Sequence, residues 1–288
     1  MRISHQTLRG ADGVNLHAAV AGDCGPLLLF LHGFPECWLA WHDQLEAFSS
    51  SFRAVALDLR GYNLSDKPAD VSAYALPRIV EDVRHVIDQL TPSGKAIVVG
   101  HDWGGLVGWC LARESPERLS KLVIINAPHP VLFYRELKHN WAQRIASSYA
   151  GFFQLRGVAE ATLRAFDFAA MRKMIYGTSS KPRAFTPHLR NAYRQAWSQP
   201  GALTAGLNYY RNPRALRTLV KQPPGWLIHV PTLVLWGDRD PALLPGNLDG
   251  LDHLVPNLTI KHHSTATHWI VHEEPEWVND SLRSFLCS

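Results

Sequence analysis

The 288-residue chain is 46% hydrophobic and 19% charged, with a formal net charge of +4, so it can bury a full core as one large domain or as a core with an insertion. Its Lys and Arg residues are scattered rather than blocked, which leaves no nucleic-acid footprint. Cys24, Cys37, Cys110 and Cys287 show no paired spacing, which favours a reducing compartment and no zinc site. The start, Met1-Arg2-Ile3-Ser4-His5-Gln6, has no apolar signal core, and no run approaches the roughly eighteen apolar residues of a membrane span. A soluble, cytoplasmic protein is expected. The ten tryptophans suit packing or an aromatic-walled apolar pocket.

Residues 1–22 alternate (Val14, Leu16, Ala18, Val20), as a hairpin at a sheet edge does. Leu27-Leu28-Leu29-Phe30-Leu31 is apolar at every residue, the mark of a strand buried on both faces, and runs into His32-Gly33-Phe34-Pro35-Glu36. A second such run, Ala54-Val55-Ala56-Leu57, ends in the turn-rich Asp58-Leu59-Arg60-Gly61-Tyr62-Asn63. Ile79, Val83, Val86, Ile87 and Leu90 form one helical face. Ala96-Ile97-Val98-Val99 then leads through Gly100-His101-Asp102-Trp103-Gly104 into a helix over 106–113. Leu122-Val123-Ile124-Ile125 follows and ends in Asn126-Ala127-Pro128-His129-Pro130. This alternation of strand and helix predicts a parallel sheet covered on both faces. It stops near Pro130. From Val131 to about Gly225 only helical segments rich in aromatics and arginine appear, broken by Gly177-Thr178-Ser179-Ser180, Gln199-Pro200-Gly201 and Gln222-Pro223-Pro224-Gly225. Strands resume at 232–236 and 258–260, and a last helix covers about 275–286.

Gly100-x-Asp102-x-Gly104 has two readings: an aspartate capping a helix, or the sharp strand-to-helix elbow G-x-S-x-G with Asp in place of Ser. Reactive residues in such a sheet collect at the carboxyl ends of strands. There the chain offers His32-Gly33-Phe34-Pro35, Asp102, Gly237-Asp238-Arg239-Asp240 and Thr267-His268-Trp269, in the order nucleophile, acid, histidine.

On these motifs the sequence resembles the epoxide hydrolases of the α/β-hydrolase superfamily, of the soluble mammalian type, through nearly its whole length. The cap shares in the likeness. Tyr149-Ala150-Gly151-Phe152-Phe153-Gln154 is similar to the first lid-tyrosine segment of that family, and Asn208-Tyr209-Tyr210-Arg211-Asn212 to the second. The resemblance implies an α/β-hydrolase fold, a mostly parallel central sheet flanked by helices, with a helical cap inserted after the sixth strand. The corresponding division is core 1–130, cap 131–225 and core 226–288. It makes Asp102 the nucleophile, His268 the base, Asp240 its orienting acid, and Tyr149 and Tyr210 the donors to the epoxide oxygen. The backbone N–H groups of Phe34 and Trp103 are the expected oxyanion hole. Phe34, Trp103, Phe152, Phe153, Trp197 and Leu203 are the expected pocket wall, no cofactor or metal is implied, and the partners are a small apolar epoxide and water, with a homodimer left open.

The residue types suit this chemistry. A carboxylate, ionised at neutral pH with an ordinary pKa of about 3.9, opens a strained sp3 carbon by backside displacement, and phenols supply the leaving oxygen with protons. Water activated by His268 then cleaves the ester. Asp238 competes with Asp240, and Tyr209 with Tyr210. His262, His263 and His272 compete with His268 and are expected at the surface. Glu36 and Arg60 are read as structural, Pro35 as a turn residue open to a cis bond, and Asn63 as left-handed. Two alternatives use the same fold. A dehalogenase shares the Asp nucleophile, but this chain has Phe34 where haloalkane dehalogenases usually carry Asn, and no arginine beside Asp102. A non-catalytic small-molecule receptor is the other.

Overall fold

The computed structural model describes residues 2–212 and 226–287. Eight strands form one sheet: β1 (Ile3–Arg9), β2 (Asn15–Ala21), β3 (Leu27–Leu31), β4 (Arg53–Leu57), β5 (Ala96–His101), β6 (Leu119–Ile125), β7 (Thr232–Gly237) and β8 (Leu258–His263). Their spatial order is β1-β2-β4-β3-β5-β6-β7-β8. β2 runs antiparallel to β1 and β4, and every later pairing is parallel. The first two strands are therefore the expected edge hairpin.

The unbroken apolar runs follow from burial on both faces. Leu29, Leu31, Val55, Leu57 and Val98 face one core, which includes Val83, Val107 and Trp109 of α2 (Leu76–Leu90) and α3 (Trp103–Glu114). Leu28, Phe30, Ala54, Ala56, Ile97 and Val99 face the other, against Leu45 and Phe48 of α1 (His42–Phe48) and Val278 and Leu282. Each buried Leu, Val or Ile among them contributes about 1.5–3 kcal/mol by leaving water. Helix α2 begins earlier than its apolar face suggests, with Pro77 in its first turn. Its Asp82 is buried because it takes a bidentate pair from Arg60, both bonds 2.6 Å, and accepts the Ala11 N–H at 2.8 Å. That ion pair ties the loop after β4 to the helix.

The helical insertion leaves the sheet after β6, the sixth strand. It comprises α4 (Pro130–His139), α5 (Trp141–Ala146), α6 (Tyr149–Phe152), α7 (Val158–Tyr176), α8 (Pro187–Ser198) and α9 (Ala202–Arg211). Helix α7 is interrupted at Ala165–Phe168, where Phe166, Asp167 and Phe168 take positive φ. The first helix of the insertion begins at Pro130, and the expected end at 225 falls outside the described residues. Phe153, Leu163, Met171, Tyr193, Trp197, Leu207 and Tyr209 make its interior continuous with the first core. After β8 come α10 (Ile270–Glu273) and α11 (Pro275–Cys287). Among the described residues no helix is long and apolar enough to cross a membrane.

Candidate active site

β5 ends at His101 and α3 begins at Trp103, so Asp102 alone makes the turn, with φ 50° and ψ −118°. Holding a non-glycine residue there costs about 1–3 kcal/mol and persists because both flanking elements are packed. The Asp102 side chain makes no capping bond to α3, which removes the capped-helix reading. Its Oδ1 instead accepts the Phe34 N–H at 2.9 Å. Glycines permit the approach. A Cβ on Gly33 would lie 2.4 Å from the Asp102 Cβ, and one on Gly104 would lie 2.1 Å from the Leu31 carbonyl oxygen. Phe34-Pro35 is cis, and Asn63 has φ 42°.

The turn after β7 brings in Asp240, whose Oδ1 accepts the N–H groups of Ala242 (2.8 Å) and Leu243 (2.9 Å). Its Oδ2 lies 2.6 Å from His268 Nδ1 and accepts Asn126 Nδ2 at 2.8 Å. His268 Nε2 in turn stands 3.7 Å from Asp102 Oδ2. Burial opposes the imidazolium, but the charge and hydrogen bond of Asp240, with Asp102 and Glu36 beyond, outweigh it and raise His268 to about 9. The same pairing, with the backbone donors, holds buried Asp240 below the usual carboxylate range. Asp238 pairs instead with His262, 2.8 Å away on the surface.

Two apolar cavities meet at Asp102, Tyr149 and Tyr210, which line both. The larger, about 360 Å³, is walled by Trp103, Leu106, Phe133, Leu137 and Leu243 among others. The smaller, about 210 Å³, adds Phe34, Met174, Trp269 and His268. The tyrosine rings lie 6.0 Å apart, and Tyr210 stands edge-on to Trp103 at 5.2 Å. Burial, with the charges of Asp102 and Asp240, raises the Tyr149 phenol; burial, then Tyr149 and Asp102, raises Tyr210. Both are therefore protonated at neutral pH. Tyr209 points away and donates to the Arg60 carbonyl at 2.7 Å.

Four residues expected in the pocket wall are placed elsewhere. Trp197 and Leu203 line a separate cavity of about 20 Å³, with Trp197 Nε1 donating to the Pro35 carbonyl at 2.7 Å. Phe152 and Phe153 line neither cavity at Asp102; Phe153 is buried behind the tyrosines and Phe152 packs on it. The helix angles that decide this have no signature in the residue pattern. The wall comes instead from α4 and α5 with their flanking turns, through Phe133, Leu137, Ala146 and Ser147.

His272 is a correction of another kind. It is buried, because its Nε2 lies 2.8 Å from Glu36 Oε1 and 3.0 Å from the Tyr193 hydroxyl. Glu36 Oε2 meets His101 Nδ1 at 2.9 Å, and His101 Nε2 lies 2.9 Å from the His268 carbonyl oxygen. Burial works against the Glu36 carboxylate, yet His101 and His272 hold it well below the usual range. The adjacency of His101 to Asp102 was the available signal for this network, but its partners are 65 and more positions away. Asn126 and Gln143 were also missed. Asn126 braces Asp240, and Gln143 on α5 ties the insertion to the acid loop through the Ala242 carbonyl and Leu244 N–H. Among the described residues no group of three or more His, Cys, Asp or Glu side chains is placed to hold a metal ion.

The family model described as the alpha/beta hydrolase fold matches residues 26–275. Mouse Epoxide hydrolase 4 is 38% identical over 96% of this chain and 77% of its own length. The chain is an α/β-hydrolase of the epoxide hydrolase family. The AB hydrolase superfamily protein YfhM of Bacillus subtilis (strain 168) is 41% identical, over 96% of this α/β-hydrolase and 95% of the relative. A crystal structure of the Bacillus megaterium epoxide hydrolase in complex with an inhibitor superimposes with a TM-score of 0.91 at 36% identity, covering 98% of this chain and 100% of that one.

Proposed function

We propose that this α/β-hydrolase converts neutral, apolar epoxides to vicinal diols through an ester on Asp102. The observation that carries the reading is a carboxylate and two protonated phenols lining the same apolar cavities. Asp102 Oδ1 is engaged by Phe34, which leaves Oδ2 to attack one epoxide carbon. The carbon–oxygen bond breaks, and the released alkoxide takes a proton from Tyr149 or Tyr210. Water then adds to the Asp102 carboxyl carbon while His268 accepts its proton, and the N–H groups of Phe34 and Trp103 hold the resulting oxyanion. Collapse expels the diol oxygen, which takes the proton held by His268. The Asp102 carboxylic acid so formed gives its proton back to the tyrosinate, restoring both the carboxylate and the phenol.

Esterification neutralises Asp102, one of the charges that raises both phenols and the imidazole. Ring opening therefore makes the tyrosines better acids while the leaving oxygen needs a proton, and frees His268 to act as base afterwards. The same side chain times both steps. The relatives named epoxide hydrolases support this reading, as does the lack of an arginine next to Asp102 for a halide.

The test is single turnover of His268→Gln with excess epoxide. Mass spectrometry should find Asp102 heavier by the mass of the substrate. Bound ligand without an adduct across a broad epoxide panel sinks the proposal in favour of a receptor; halide release from chloroalkanes or bromoalkanes by the wild type favours a dehalogenase.

A further inference from the structure

Two phenols that share one oxygen must hold their own hydroxyls on the order of 4.5 Å apart, given ordinary O–H···O lengths. Tyr149 and Tyr210 sit on different segments, a single-turn helix and the end of α9, so something must set their separation. Phe153, 1% exposed, packs behind both, with its ring 5.5 Å from Tyr149 and 5.0 Å from Tyr210. Its carbonyl is gripped by Arg211 Nε at 2.7 Å. The Arg211 guanidinium, with its side chain 3% exposed, makes a forked pair with Glu160, at 2.5 and 3.1 Å. Glu160 is itself anchored by the Gly157 N–H at 2.8 Å. A second bond crosses the same gap in the other direction, from Gln154 Nε2 to the Tyr210 carbonyl at 2.9 Å.

We infer that Arg211 and Glu160, acting through Phe153, are positioning residues for ring opening: they clamp the two tyrosine segments at the spacing one epoxide oxygen requires. The forked geometry matters, because a guanidinium fixes direction as well as distance where a single ammonium contact does not. Ester hydrolysis uses Asp102, His268 and backbone donors, so the clamp bears on the first step alone. The inference rests on the epoxide reading above.

The experiment follows ester build-up on Asp102 by rapid quench and mass spectrometry at saturating epoxide, in the His268→Gln background. Arg211→Gln is expected to slow the build-up rate constant about ten- to a hundredfold, the scale of a misplacement near 1 Å, with full final amplitude. Phe153→Leu, which keeps an apolar core, is expected to do the same and serves if Arg211→Gln does not fold. In a Tyr210→Phe background the added cost of Phe153→Leu should shrink to about threefold or less, because the pair no longer needs spacing. The inference is overturned by an unchanged rate constant, by lost amplitude at an unchanged rate constant, or by a cost that persists undiminished without the Tyr210 hydroxyl. If His268→Gln with its clamp intact forms no ester, the epoxide reading itself has failed.

Discussion

Replacing Asp102 by Asn imitates the neutral ester and should move His268. With 3.7 Å between Nε2 and Oδ2, their attraction is about 4.5 kcal/mol at an effective dielectric of about 20 and about 1.1 kcal/mol at that of water. The whole rise of His268 from 6.5 to about 9 is worth about 3.4 kcal/mol, at about 1.36 kcal/mol per pH unit. Asp240, at 2.6 Å, is the larger contributor to that rise. The lower limit therefore sets the scale, and Asp102→Asn should lower the imidazole by about one pH unit. Asp240→Asn should lower it further, below its ordinary 6.5, because burial is then opposed only by more distant charges. The assay is an NMR titration of the His268 ring in the wild type and both variants. An Asp102→Asn protein that still titrates at about 9 refutes the timing mechanism, and one that falls further than Asp240→Asn refutes the ranking of Asp240 as the larger contributor. The sign of the accompanying stability term is determined too. Since the folded state holds this proton more tightly, the stabilisation is complete below pH 6.5 and is lost as pH rises through about 9. Decay of the wild-type ester should accelerate with pH, with a midpoint lower than that of the free protein.

Two further outcomes are expected. Tyr149→Phe with Tyr210→Phe should abolish ring opening, whereas either change alone leaves some activity, since one phenol still reaches the oxygen; stopped single-turnover assays decide it, and a double variant near wild type removes the tyrosines from the mechanism. Gly104→Ala places a Cβ 2.1 Å from the Leu31 carbonyl oxygen, where neither backbone can yield, and should cost about 2 kcal/mol or more in urea unfolding. A stability loss under about 0.5 kcal/mol would show that the elbow relaxes.

What the sequence determined by itself was everything with a local signature. Runs such as Leu27–Leu31 are apolar at each position because both sheet faces are covered, and that pattern is visible residue by residue. The glycines around Asp102 mark backbone contacts that no side chain fits, so the elbow was legible before its geometry was known. Asp240 was separable from Asp238 only through a family likeness, and the 2.6 Å approach to His268 is a fact of the folded chain. The tertiary structure alone decided the pocket wall. Trp197 and Phe153 are as aromatic as Trp103, but Trp197 lines a separate small cavity and Phe153 is buried in the insertion, while Phe133 and Leu137 of α4 face the cavity at Asp102. It also decided the buried polar set. Glu36, His101 and His272 meet across 236 positions of chain, and the buried Glu36 carboxylate is tolerable only because both imidazoles reach it. Long-range pairing of that kind leaves no periodicity for a sequence to display.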